Sequence, residues 1–192
     1  MLIIKMIALF AIMLLPYIGS AQDTYRIRSH EITIEGTSNL MSWTAEVEEA
    51  SGRFQITLED SKIVAVETAD LTIDAESIEG SEGRRMNSKI YESLNTDQHP
   101  DINFVLRDVL SLAENPGTAR ITSRGVLTVA GVSRVIELFA IGRVLPGGDI
   151  ELSGEHNLKM TDFRIKPPTA MFGALRTGDE VDLHFRIVLG KE

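Results

Sequence analysis

The end of the chain alternates strictly at period two. Val181, Leu183, Phe185, Ile187 and Leu189 fall on one parity, while Asp182, His184 and Arg186 fall on the other. Successive side chains of an extended strand point to opposite faces, so this segment is a strand with one oily side and one wet side. The same signature recurs from Tyr25 onward in Tyr25/Ile27, Ile32/Ile34, Trp43/Ala45/Val47 and Phe54/Ile56/Leu58, punctuated by Gly36, Ser38, Asn39 and Gly52. Val64/Val66 and Leu71/Ile73 continue it between Lys62 and Asp74, and further pairs follow in Ile102/Phe104/Leu106, Ala119/Ile121, Leu127/Val129, Ile136/Leu138/Ala140 and Ile150/Leu152.

One segment breaks this pattern. Between Gly83 and Thr96, Met86, Ile90 and Leu94 recur at i, i+4 and i+8, with Arg84, Arg85, Lys89 and Glu92 on the other sides, which predicts an amphipathic helix of about three turns. Turn signals at Asn115-Pro116-Gly117, Gly131 and Pro146-Gly147-Gly148-Asp149 separate the later strands, and Pro167-Pro168 makes an extended loop before the last one. About eight to ten short strands with close-set turns predict an all-β sandwich or a closed antiparallel barrel. Closure removes exposed edges, and the helix, apolar along one stripe, is expected at the barrel mouth.

The first residues predict an address. Lys5 precedes an apolar run from Met6 to Leu15, Pro16 breaks it, and the small residues Gly19, Ser20 and Ala21 follow, the pattern of a secretory signal peptide removed after Ala21. The stretch is shorter than the ~20 residues a spanning helix needs. Residues 22–192 are then expected to form one domain without stable membrane insertion. Losing Lys5 takes the net charge from −9 to −10, which repels phosphate backbones and argues against nucleic acid as a partner. With no cysteine in the chain, neither a disulfide nor a lipid-modified N-terminal Cys is available, so burial must hold the fold together. A soluble periplasmic or secreted product is the expectation.

Chemistry-bearing constellations are sparse. His30, His99, His156 and His184 include no pair at the i, i+2 or i, i+4 spacing of a local metal site. Asp97-Gln98-His99 reads as a polar turn closing the helix ahead of Pro100. There is no Gly-x-Ser-x-Gly elbow and no phosphate-cradling loop, so the reading is a non-enzyme without metal or cofactor. Aromatic and methionine side chains supply large or adaptable apolar area, and Trp43, Met86, Tyr91, Phe163, Met171 and Phe172 stand near strand ends, loops or the helix.

Several segments in order carry a resemblance: Gly36-Thr37-Ser38-Asn39-Leu40 with Trp43; Met86-Asn87-Ser88-Lys89-Ile90-Tyr91 with Leu94; His99-Pro100-Asp101-Ile102-Asn103-Phe104; Gly125-Val126-Leu127-Thr128-Val129-Ala130-Gly131-Val132; Met160 through Met171; and Gly178-Asp179-Glu180-Val181. Together they resemble the YceI-like family of polyisoprenoid-binding, lipocalin-like exported proteins. The chain departs from many relatives in having Met41-Ser42 where a histidine and a polar residue precede the tryptophan. The resemblance implies an antiparallel eight-stranded barrel with one helix near its mouth and an apolar lumen for an isoprenoid, quinone or fatty-acid-like lipid, held for carriage or sequestration. Trp43, Phe54, Met86, Ile90, Tyr91, Phe104, Phe163, Met171 and Phe172 are the expected ligand contacts at lumen and mouth.

An eight-stranded barrel is just wide enough either to fill with its own side chains or to hold one slender ligand. The alternative to a lipid binder is therefore a filled barrel serving as a non-catalytic, stress-related or protein-interaction module, and a homodimer is compatible with either reading.

Overall fold

The computed structural model describes residues 23–192, so the expected signal peptide lies outside the described residues. Eight long strands close a ring. They are β1 (Asp23–Ser38), β3 (Ala50–Glu59), β4 (Lys62–Asp74), β6 (Asp101–Asn115), β7 (Thr118–Val129), β8 (Val132–Val144), β9 (Ile150–Lys159) and β11 (Leu175–Lys191), each antiparallel to its neighbours, with β11 returning to pair β1. Closure is extensive, running from Tyr25 opposite Lys191 to Ser38 opposite Thr177. Every long strand thus has a long-strand neighbour on each side, and the edge liability of an open sheet is removed.

Three short strands decorate one end. β2 (Ser42–Val47) pairs with the second half of β1, β5 (Ile78–Gly80) pairs with β2, and β10 (Thr169–Ala170) pairs with the start of β11. The one α-helix among the described residues, α1 (Arg84–Leu94), stands at this same end. It starts after Gly83 and stops where Asn95 turns left-handed at φ 53°, a C-terminal device in which asparagine is tolerated. The predicted helix is therefore present, trimmed at its ends.

Several predicted strands are segments of longer ones. Tyr25/Ile27 and Ile32/Ile34 both belong to β1, a strand of 16 residues, and their inward parity changes from odd to even between them. The register explains the change: Ile27 faces Leu189 and Ser29 faces Val188, so Arg28 is an extra residue, a β-bulge. Similar insertions reset parity in β4, around Glu67, and in β6, around Arg107. Bulges bend a strand and sharpen its twist, which lets long strands wrap a closed barrel. The β7–β8 hairpin turns through Ala130 and Gly131, both at positive φ (48° and 73°), as a two-residue hairpin loop requires.

The two ends of the barrel differ. At the end carrying the hairpin turns Asp60-Ser61 and Pro116-Gly117, inward side chains interlock: Tyr25 is 1% exposed, and Ile56, Ile150 and Leu189 are 0% exposed. Toward the helix end, the inward parity is held by Ile34, Trp43, Leu71, Ile102, Phe104, Leu106, Leu183 and Phe185, all only partly buried. Side chains that face inward yet keep accessible surface are what a hollow interior produces.

Candidate functional site

The hollow is a cavity of about 790 Å³ entered from the helix end, within the ~300–1,000 Å³ range of small-molecule sites. Its walls come from all eight barrel strands. Ile32 and Ile34 of β1, Leu71 of β4, Leu106 of β6, Leu127 of β7, Leu138 and Ala140 of β8, Leu158 of β9 and Leu183 of β11 are among them. The last strand presents Val181, Leu183, Phe185 and Ile187 to the lumen, so the parity predicted as oily is the one that faces inward.

Six of the residues expected to contact a ligand line this cavity: Trp43, Phe54, Met86, Ile90, Phe104 and Phe163. Trp43 is positioned by its indole N–H, which donates to the Thr37 carbonyl at 3.2 Å, and its ring lies over Gly36, where a Cβ would overlap it. Phe104 covers Gly125 on the neighbouring strand in the same way. Phe163, on the 3-10 turn Met160–Phe163, is buried with Leu127, Val129 and Ile165 in a second apolar cluster at the mouth.

Tyr91 is not among the lining residues. Its hydroxyl donates to the Glu76 carbonyl at 2.7 Å, while the Thr96 hydroxyl donates to the Glu76 carboxylate at 2.9 Å, and together they tie the helix to the 3-10 turn Ala75–Ser77. Asn87 accepts the Gly80 N–H at 2.8 Å, and Met86 packs over that glycine. These contacts hold α1 along one side of the opening with Met86, Ile90 and Leu94 turned to the lumen. Phe172 is fully exposed at the end of the barrel and does not line the cavity. The Met171 side chain lies outside the described residues.

The lumen holds little polar chemistry. Ser123 is its buried hydroxyl, and it donates to the Leu138 carbonyl at 3.2 Å. His156 shares the inward parity of β9 with Leu158, and burial holds its imidazole below the usual histidine range. It is not among the lining side chains. Asp97 and His99 sit in the turn after the helix, where the Gln98 and His99 N–H groups donate to the Asn95 carbonyl. Among the described residues, no group of three or more His, Asp or Glu side chains converges as a metal site would require.

Charged groups gather only at the rim, where Glu82, Arg85 and Lys89 on or beside α1 and Lys159 at the end of β9 line the opening. The sequence reading did not anticipate them, although Arg85 and Lys89 share a helical stripe at i, i+4 with Met86 and Ile90 alongside. An apolar tube with a polar collar is suited to binding a long apolar molecule. Among the described residues that line it, no nucleophile, base and orienting group are hydrogen-bonded in sequence.

Comparison with known proteins fits this geometry. The model of the YceI-like domain matches residues 25–189. Among solved structures, a polyisoprenoid binding domain from Saccharophagus degradans implicated in plant cell wall breakdown superposes with a TM-score of 0.69 at 14% identity, covering 90% of this chain and 100% of that one. BcnA of Burkholderia cenocepacia gives a TM-score of 0.62 at 16% identity, covering 83% and 95%. The YceI protein of Campylobacter jejuni gives 0.57 at 20% identity, covering 77% and 84%. At these identities the likeness concerns the fold. No curated protein matches the sequence significantly.

Proposed function

Since the chain belongs to the YceI-like family, we propose that it is a non-catalytic binder that holds a long apolar ligand, an isoprenoid, quinone or fatty-acid-like lipid, in the lumen for carriage or sequestration outside the cytoplasm. The observation that carries this reading is the open cavity of about 790 Å³ walled by aliphatic and aromatic side chains. A filled barrel, the physical basis of the alternative module, would have no such space. The polyisoprenoid binding domain with the same fold supports the ligand class. Export rests on the sequence pattern of residues 1–21. No helix among the described residues is long and apolar enough to cross a membrane.

Affinity follows from how much chain is buried. About 0.8 kcal/mol per methylene means that ten carbons return roughly 8 kcal/mol, within the ~4–15 kcal/mol cost of association. Longer tails are therefore selected over short ones, and Trp43, Phe54, Met86, Ile90, Phe104 and Phe163 line the path such a tail takes. The direct test is mass spectrometry of organic extracts of the protein purified from its host. A long-chain lipid at close to one per chain is expected. Clean extracts, combined with no uptake of added isoprenoid or fatty acid, would refute the proposal.

A further inference from the structure

Three large apolar side chains are left in solvent at the open end of the barrel. Leu40 is 62% exposed, Met41 is 52% exposed, and Phe172 is fully exposed. They belong to two loops that are bonded to each other. The Asn39 N–H donates to the Arg176 carbonyl at 3.0 Å, the Asn39 side-chain amide donates to the Ala174 carbonyl at 2.9 Å, and the Asn39 side-chain oxygen accepts the Arg176 N–H at 2.8 Å. The Arg176 guanidinium in turn donates to the Gly173 carbonyl at 3.1 Å. Phe172 itself adopts a left-handed backbone, φ 55° and ψ 33°, which is unfavourable for a phenylalanine. The clamp thus ties together the two loops that carry these apolar tips, next to the lumen entrance that Met41, Leu175 and Thr177 help to line.

We infer that this rim is a docking surface for a neutral, zwitterionic phospholipid bilayer, against which the barrel seats mouth-first so that a lipid passes between membrane and lumen without crossing water. The inference rests on the lipid-binding reading above. Scattered apolar residues on a surface are ordinary, but clustered ones mark an interaction site. Projecting tips suit a fluid headgroup layer, into which apolar side chains sink while the body stays outside. A protein partner would instead need a matched patch of about 1,000 Å² or more.

Charge selects the kind of bilayer. Of the ionised groups lining the entrance, Lys89 is paired with Glu92 at 2.6 Å and Lys159 with Glu180 at 3.7 Å, and Glu82 offsets Arg85. The collar and its partners therefore sum to zero, and Arg176 in the clamp, whose guanidinium donates to the Gly173 carbonyl, adds one positive charge beside the tips, in a chain whose net charge is −9. An anionic surface would be repelled by the chain as a whole, and one net cation at the rim falls far short of the cluster of basic residues that recognises such a surface. Arg85 has no carboxylate partner among the described residues, which leaves its guanidinium available to a headgroup phosphate.

The test is flotation of the lipid-free mature chain with phosphatidylcholine vesicles, followed by transfer of a fluorescent long-chain lipid from those vesicles. Wild type is expected to co-float, and adding a third of phosphatidylglycerol is expected to weaken it. The double variant Leu40→Ser/Phe172→Ser should partition at least about tenfold less and accept lipid from vesicles correspondingly more slowly. It should still take up the same lipid delivered from cyclodextrin, because the lumen is untouched, and its unfolding midpoint should match wild type. Wild type that stays with the soluble fraction would overturn the inference, as would a double variant that floats and transfers unchanged. Self-association through the rim that the double variant abolishes, with vesicle binding unaltered, would overturn it in favour of a second copy of the chain. Failure of cyclodextrin delivery in both proteins would instead strike the lipid-binding reading, since flotation of empty protein is scored separately.

Discussion

The size of the lumen sets a quantitative limit on the ligand. At about 30 Å³ for a water-sized group, a cavity of about 790 Å³ accepts on the order of 25 methylene-sized groups. Each methylene moved from water into it is worth about 0.8 kcal/mol, or close to fourfold in affinity. A series of unbranched lipids with one headgroup and increasing tail length should therefore gain about fourfold per carbon and then level off once the tube is full. The single tryptophan of the chain, Trp43, lines the cavity, so its emission should shift to shorter wavelength as a tail displaces water, providing the assay without a label. Filling the lumen should move the plateau. Ala140→Phe places a ring where the wall now has a methyl group, and the limit should fall by about six carbons, since close packing leaves little room to share. Affinity independent of chain length, or rising with no plateau and no response to Ala140→Phe, would mean that tails bind outside the barrel and would refute the reasoning.

Two further perturbations probe the frame around the site. At Gly125 a Cβ would overlap the Phe104 ring and lie 2.9 Å from the Val105 carbonyl, so Gly125→Ala should cost about 1–3 kcal/mol of overpacking in urea unfolding, with part recovered in Gly125→Ala/Phe104→Leu. His156 is held below the ordinary histidine value of 6.5 by burial; the unfolded chain then binds the proton more readily, so its contribution to stability is intact above that value and is lost as pH falls through it. His156→Gln should flatten the pH dependence of the urea midpoint between about pH 7 and 5, and an unchanged slope would show that another group is responsible.

Sequence alone disclosed the fold through particular residues. The strict alternation of β11 identified the face that became the lumen wall, and Met86, Ile90 and Leu94 identified the helix and its inward stripe. What it concealed was continuity. Tyr25/Ile27 and Ile32/Ile34 stand on opposite parities, and only the extra residue Arg28 in the pairing with β11 reveals one bulged strand. A bulge carries no composition signal of its own, because the inserted residue is an ordinary exposed side chain. The helix stripe also could not say which flank would face the opening. Tyr91, placed by spacing beside Ile90, turned to the Glu76 carbonyl, while Arg85 and Lys89 reached the collar. Those orientations are set by β5 and the Ala75–Ser77 turn, which are distant from the helix face in any local pattern.

Stability and binding are divided between the two ends of the barrel, and truncations can separate them. Ile56 is 0% exposed among the interlocked side chains of the closed end, so Ile56→Ala removes buried carbons and leaves a new void, at a cost of about 2–5 kcal/mol. Leu106 lines the open lumen and already lacks packing partners on one side. Leu106→Ala enlarges an existing cavity instead of creating one, and forfeits only wall contacts, so about 1–2 kcal/mol is expected from the area term. Binding should respond in the opposite order: Leu106→Ala weakens the capture of a long-chain lipid, and Ile56→Ala leaves it near wild type wherever the protein is folded. Urea midpoints with unchanged m-values, together with the Trp43 titration, measure both quantities on the same samples. Equal stability losses at the two positions would mean that the interior is packed uniformly from end to end, and a uniformly packed barrel has no room for a tail.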